Sequence, residues 1–265
     1  MDVFDNEAEI IEHFQYVQSS SVMLFPEQDE ECEKVFQAVN KENEWKKWIN
    51  SSGKADPPPD FYSDKLGFMM DVMRVDDHGR IGKNGKSIVN PTLARESEVM
   101  RELKEKGIFE AFPNAKPFLN VDTKLPTKED HNYIFYRDGF IRTVETHKAK
   151  IDTYKANHPG LKVVFFVFDE SSAYFEAVNP EQIMRKGEVI QGRPHWWMLD
   201  EAFISVIIDS QIDYLIWYTP YKHSQVFDQA GKQLLLPEAT VIKISDCAKI
   251  PTIAYNADRM ESVEL

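Results

Sequence analysis

The sequence predicts an α/β (or α+β) domain with a central mixed sheet flanked by helices, preceded by a helical N-terminal segment. Three features carry that expectation. Lys162–Phe168 is a nearly continuous apolar run, as a strand covered on both faces should be. The stretch before it, about 131–157, spaces Tyr133, Tyr136, Phe140, Val144, His147, Ile151 and Tyr154 three or four apart, the period of one helix face. Further apolar runs at 66–75 and 212–218 are separated by helical stretches, the loose alternation of a layered α/β chain.

Each element has a local reason. Ile10, Ile11, Phe14 and Val17 give a short amphipathic helix over 7–17, broken by Ser19–Ser21. A longer helix is expected over 27–50, with Cys32, Val35, Phe36 and Val39 on one stripe. Trp45, Trp48 and Ile49 fall out of phase, which predicts a bend or a second short helix. Pro57–Pro59 forbid helix and central strand, so residues 51–60 read as an extended, exposed tether. On that basis residues 1–56 form a helical segment and linker, and 57–265 the α/β body, one domain overall. Leu66–Val75 opens the body as a strand. Gly79, Gly82 and Gly85 then make a turn-rich loop without the spacing of a phosphate-binding loop. A helix follows from Asn90 to about Lys106, stopped by Gly107. Residues 118–123 read as a strand, His158-Pro159-Gly160 ends the long helix, and Ala173–Val178 reads as a hairpin partner of 162–168. A helix at 199–209, the strand 212–218 and edge strands at 234–236 and 240–244 complete the chain.

Composition narrows the function classes. With 42% hydrophobic residues, including 17 Phe, 10 Tyr and 5 Trp, the chain can build a real core. Its net charge of −13 opposes a sequence-independent grip on nucleic acid unless a local basic groove or a bound metal reverses the sign. Cys32 and Cys247 stand far apart in no ligand spacing, which excludes a zinc knuckle or disulfide framework and fits a reducing, cytoplasmic setting. The acidic start of the chain is unlike a signal peptide, and no apolar run reaches the ~20 residues of a membrane span, so no membrane partner is expected.

The sharpest chemical signal is Asp71 inside the apolar strand, followed by Asp122-Thr123-Lys124 at the end of another. A strand period of two puts Asp122 and Lys124 on one face. Two carboxylates and an ammonium converging at strand ends are suited to holding a divalent metal and activating water. This arrangement resembles the PD-(D/E)XK, or restriction-endonuclease-like, nucleases over roughly residues 66–169. The family core runs helix, three meandering strands, helix and a further strand, with an acid on the second strand and Asp/Glu-x-Lys on the third. The resemblance implies that Asp71 and Asp122 ligate Mg²⁺ with the carbonyl of Thr123, and that Lys124 orients or deprotonates the attacking water. It implies that Glu44 corresponds to the acid some members carry on their first helix, and that the partner is nucleic acid. Two features depart from the family: about 45 residues and a helix separate the two motif strands, and no proline precedes Asp71.

Other readings stand beside it. Asp71 and Lys124 also fit a solvent-facing strand edge, with Asp71 paired to Arg74. His147 fits a satisfied core histidine, and Asp169-Glu170 a turn at the carboxyl end of a strand. His195-Trp196-Trp197 fits a core anchor better than a contact patch. Ser171 and Ser172 lie in no nucleophile elbow. The alternative function is a non-enzymatic acidic interaction protein, an inhibitor or immunity-type partner of a basic protein.

Overall fold

The structure, a computed structural model, describes residues 6–53, 59–81, 88–89, 91–112, 131–179, 191–208, 210–222, 226–227, 233–234 and 236–263. The chain begins with α1 (Glu7–Phe14), β1 (Val22–Phe25), α2 (Glu30–Asn40), α3 (Glu42–Trp45), β2 (Ile49–Asn50), β3 (Phe61–Ser63) and β4 (Phe68–Val75). The short hairpin β5 (Arg80–Ile81) and β6 (Ile88–Val89) leads to α4 (Pro91–Glu105) and α5 (Ile108–Ala111), then to α6 (Tyr133–Lys148) and α7 (Ile151–Asn157). The remainder is β7 (Lys162–Asp169), β8 (Tyr174–Ala177), β9 (Gly192–Pro194), α8 (Glu201–Ile208), β10 (Tyr214–Tyr218), β11 (Val226–Phe227), β12 (Gln233–Leu234), β13 (Ala239–Lys243) and β14 (Met260–Ser262).

Capping explains where the helices begin. The Asn6 side chain accepts from Glu9 N, Asp29 from Glu31 N and Cys32 N, and Asn132 from Ile134 N and Phe135 N. Each satisfies amides that the first turn leaves without a partner.

A seven-stranded mixed sheet in the order β1-β13-β10-β7-β4-β3-β2 forms the centre. The pairs β1/β13, β10/β7 and β7/β4 are parallel; β13/β10, β4/β3 and β3/β2 are antiparallel. β7 sits in the middle, and Val163 through Phe168 are all fully buried. Val163, Phe165 and Val167 face the layer of α6, α7 and α8, with Phe140, Val144, Tyr154 and Phe203. Val164, Phe166 and Phe168 face α1 and α2, with Ile10, Phe14, Val35 and Phe36. Helices on both faces are what an apolar run of this kind requires. The α/β fold class read from the sequence is the observed one.

Several sequence expectations change in detail. The 27–50 helix divides at Asn40, whose side chain donates to the carbonyls of Phe14 and Val17, and its last residues form β2. Val22–Phe25, unassigned from sequence, is an outer strand of the central sheet. Ala173–Val178 does not return beside β7: β8 joins a separate three-stranded sheet, β14-β8-β9, because the chain leaves β7 through the buried turn at Asp169–Ser172. Thr240–Ile244 is not an edge, since β13 lies between β1 and β10 with Ala239, Val241 and Ile242 fully buried. The helix read over 131–157 is two, α6 and α7, meeting at Ala149-Lys150. Of the proline tether, 54–58 lie outside the described residues; Pro59 is buried and its carbonyl accepts from Ser51 Oγ (2.5 Å). The strand read at 118–123 also lies outside them. Both cysteines are free and buried, and no helix among the described residues is long and apolar enough to cross a membrane.

The two-faced burial of β7 sets an expected cost. Phe166 packs edge-on against Phe14 at 5.1 Å between ring centroids. Phe166→Ala should lower unfolding free energy in urea by about 3–5 kcal/mol, as truncation of a buried aromatic does. A loss below about 1 kcal/mol would contradict the core assignment.

Candidate functional site

The site is built by a tight turn. Between β3 and β4 the chain reverses in four residues, with Gly67 N donating to Ser63 O (2.9 Å) and Gly67 at φ 78°. That left-handed backbone favours glycine. The turn fixes the register Phe61↔Met70, and one step further out Asp60 stands beside Asp71. On its other side Asp60 is held by β2, where Ser51 N donates to its carbonyl (2.8 Å).

Asp71 is 3% exposed, on the sheet face covered by α6 and α7. Its Oδ2 accepts from Tyr154 OH (3.0 Å) and from His147 Nδ1 in a short hydrogen bond. Asp60 Oδ2 accepts from Val72 N (2.8 Å), and the strand register sets its carboxyl beside that of Asp71. Glu7 on α1 adds a third negative charge near Asp60; its Oε2 accepts from Ser52 Oγ (3.2 Å). Two acids, Asp60 just before β3 and Asp71 on β4, thus meet where the α6–α7 layer supplies an imidazole and a phenol.

The electrostatics split the pair. Burial, followed by the charge of Asp71, pushes Asp60 up to about 7. Burial also pushes Asp71 upward, but the hydrogen bond and charge of His147 and the bonds from Asp60 and Tyr154 outweigh it, so Asp71 is lowered. Of the two close acids, Asp60 is the one whose protonated form is favoured, since both do not ionise readily together.

The sequence-predicted residues fall as follows. Asp71 is at the centre of this cluster and is not paired with Arg74, which lies toward Glu170 at 4.0 Å. Glu44 is on α3, in an ion pair with Lys47 (2.6 Å). Asp122, Thr123 and Lys124 lie outside the described residues. His147, read as a core histidine, is instead partly exposed (20%) and is the direct partner of Asp71. Asp60 and Tyr154 were not singled out. Pro59-Asp60 was the available signal, hidden by assigning those residues to a linker.

Two further buried acids, Asp169 and Asp200, have internal partners. Asp169 accepts from Tyr136 OH (2.7 Å), Trp217 Nε1 (2.9 Å) and Ser171 Oγ (2.6 Å), and pairs with Lys222 (2.8 Å). Asp200 bonds His195 Nε2 (2.8 Å) and Tyr133 OH. His195 is fully enclosed by aromatic rings and Trp197 stacks on Trp217 at 4.2 Å, the core anchor that the sequence favours. These bonds tie β7 and β10 to α6 and to the segment before α8.

Comparison with protein-family models, with curated proteins and with solved structures gives no match.

The raised Asp60 makes stability depend on pH. Its folded value exceeds its unfolded one, so the contribution is complete below about pH 4 and is lost as pH rises to about 7. In metal-free protein, Asp60→Asn should remove this decline, making the variant's denaturation midpoint flatter than wild type between pH 4 and 7. Parallel profiles for the two proteins would rule out the raised Asp60.

Proposed function

We propose that this protein is a metal-dependent phosphodiesterase, a nuclease of restriction-endonuclease-like type, whose acidic pair is Asp60 and Asp71. One observation carries the reading. An acid preceded by proline, Pro59-Asp60, enters the second strand of the antiparallel meander β2-β3-β4, and Asp71 lies beside it on the third. The meander follows helices α2 and α3, and the helices α6 and α7 then precede β7, parallel to β4. With the β5–β6 hairpin, α4 and α5 inserted after β4, this resembles the helix, three-strand, helix, strand order of the PD-(D/E)XK core. In this register the motif strands are joined by a short turn and a proline precedes the first acid. The two departures found when the motif is started at Asp71 both disappear.

The donor set fits a hard divalent ion. Two carboxylates offer only oxygen ligands, the preference of Mg²⁺ or Mn²⁺, and the proton that Asp60 favours keeping is the one such an ion would displace. Bound there, the ion would lower the pKa of a water and polarise a phosphoryl oxygen. It would also offset the local negative charge that otherwise repels a nucleic-acid backbone. Met73 occupies the position of the motif lysine, so proton handling falls to another group. His147, its Nδ1–H donated to Asp71, keeps Nε2 as the ring nitrogen able to take a proton from water. Tyr154 restrains the Asp71 carboxylate from the same side.

The test is cleavage of plasmid DNA, single-stranded DNA and RNA with Mg²⁺ or Mn²⁺. Cleavage should be metal-dependent and fall at least about 100-fold in Asp60→Asn and in Asp71→Asn. Loss of a proton acceptor in His147→Ala should cost about 10²–10⁴-fold. All three variants are to be checked for cooperative unfolding. Full activity in both Asn variants, or no cleavage of any of these substrates by wild type, would overturn the proposal and leave the acidic interaction protein as the better account.

A further inference from the structure

A second cluster lies beyond the C-terminal end of β4. Asp77, His78 and His131 each offer a ligand atom, and these atoms all lie within 4.8 Å of one another. The rise of about 3.3 Å per strand residue puts Val75 about 13 Å along β4 from Asp71, so this cluster is separate from the acidic pair. His131 Nδ1 is 3.1 Å from Asp77 Oδ2, His78 Nε2 is 4.0 Å from Oδ1, and the two imidazole rings are 4.5 Å apart. Asp77 is fully buried, whereas the His78 and His131 side chains keep 23% and 13% exposure. The ligands therefore have a closed protein side and a side reachable from solvent.

Packing around the cluster orients it. Asp77 Oδ2 accepts from Ser172 N (3.0 Å), Ser172 Oγ (2.7 Å) and Tyr174 OH (2.6 Å). The Asp77 carbonyl accepts from Asn132 N (3.0 Å), tying the loop after β4 to the start of α6. Gly79 makes that approach possible, because a Cβ there would meet Phe135 at 2.8 Å. Hydrogen bonds of this kind hold the carboxylate of a metal site in one orientation.

We propose that Asp77, His78 and His131 form a zinc-class transition-metal site with three protein ligands and an open position. Two imidazoles and one carboxylate suit Zn²⁺, Co²⁺ or Fe²⁺ in preference to Mg²⁺, which takes oxygen ligands. Three protein ligands with a fourth position open to water is the arrangement of reactive rather than purely structural zinc sites. The ion would join the loop after β4 to the segment entering α6, two stretches more than fifty residues apart in sequence.

The experiment uses the full chain stripped with a chelator and titrated with Zn²⁺ by calorimetry and with Co²⁺ by visible absorption, both in excess Mg²⁺ to occupy the acidic pair. One Zn²⁺ should bind per chain, raise the thermal midpoint, and be reported by a Co²⁺ absorption band that Zn²⁺ abolishes. His78→Ala and His131→Ala should each weaken zinc at least about tenfold, and Asp71→Asn should leave it unchanged. If His131→Ala does not fold cooperatively, His78→Ala, altering the more exposed ligand, carries the test. Wild-type protein that binds no zinc, or His78→Ala that binds as tightly as wild type, would overturn the proposal.

Discussion

Two-sided burial of β7 is the constraint from which the rest of the molecule follows. Val163 to Phe168 cannot be presented to water on either face, so α1 and α2 must cover one side and α6 to α8 the other. β4, bonded to β7 along its whole length, is thereby drawn into the same dry layer. Asp71 sits midway along β4, where its neighbours Met70 and Val72 point into the apolar core on the opposite face. A carboxylate in that position is tolerable only with donors, and His147 and Tyr154 supply them from the helices that the burial of β7 requires. The chemistry of the site is therefore a consequence of the packing.

The acidic pair also shows how a fold retains an unfavourable feature. Asp60 and Asp71 repel when both are ionised, and Glu7 adds to the repulsion, yet the Gly67 turn and the Ser51 hydrogen bond leave the backbone no other register. Contrast Asp169, equally buried, whose oxygens are taken up by Tyr136, Trp217, Ser171 and Lys222. A fully answered carboxylate stabilises a structure. One whose nearest neighbour is another carboxylate favours keeping a proton on the pair.

Much of the layered fold was legible in the sequence, and much of the site was not, for one physical reason. β7, β10 and α6 carry long apolar patterns whose period identifies them. β2 and β3 are two and three residues long, too short for alternation to register, and the prolines before Asp60 argue locally against a strand. Pro59 is tolerated because it precedes β3, leaving the ladder amides to Phe61 and beyond. With β2 and β3 illegible, the sequence presents β4 as the second strand of the meander rather than the third, and Asp122 rather than Asp60 as the partner of Asp71. Asp71 itself was visible because an acid within Phe68–Val75 breaks an otherwise apolar strand. His147 was visible only as a member of a helix face, since nothing local announces which strand residue it meets 76 positions away.

The middle of β4 and the loop beyond it present different side-chain clusters because they differ in neighbours. Beside Asp71 stands Asp60, one residue before β3, so the register brings a second carboxylate next to the first. The β3 ladder covers only Phe68–Met70 of β4, and beyond Val75 the chain turns against the start of α6, where His131 precedes the Asn132 cap. A strand neighbour is fixed by ladder register, whereas a helix-start neighbour is fixed by the close approach that Gly79 allows. Substituting Gly79 would therefore disturb the imidazole cluster and leave the Asp60–Asp71 ladder intact, while substituting Gly67 at its positive φ would do the reverse. The two clusters are separable by mutation because the fold builds them with different devices.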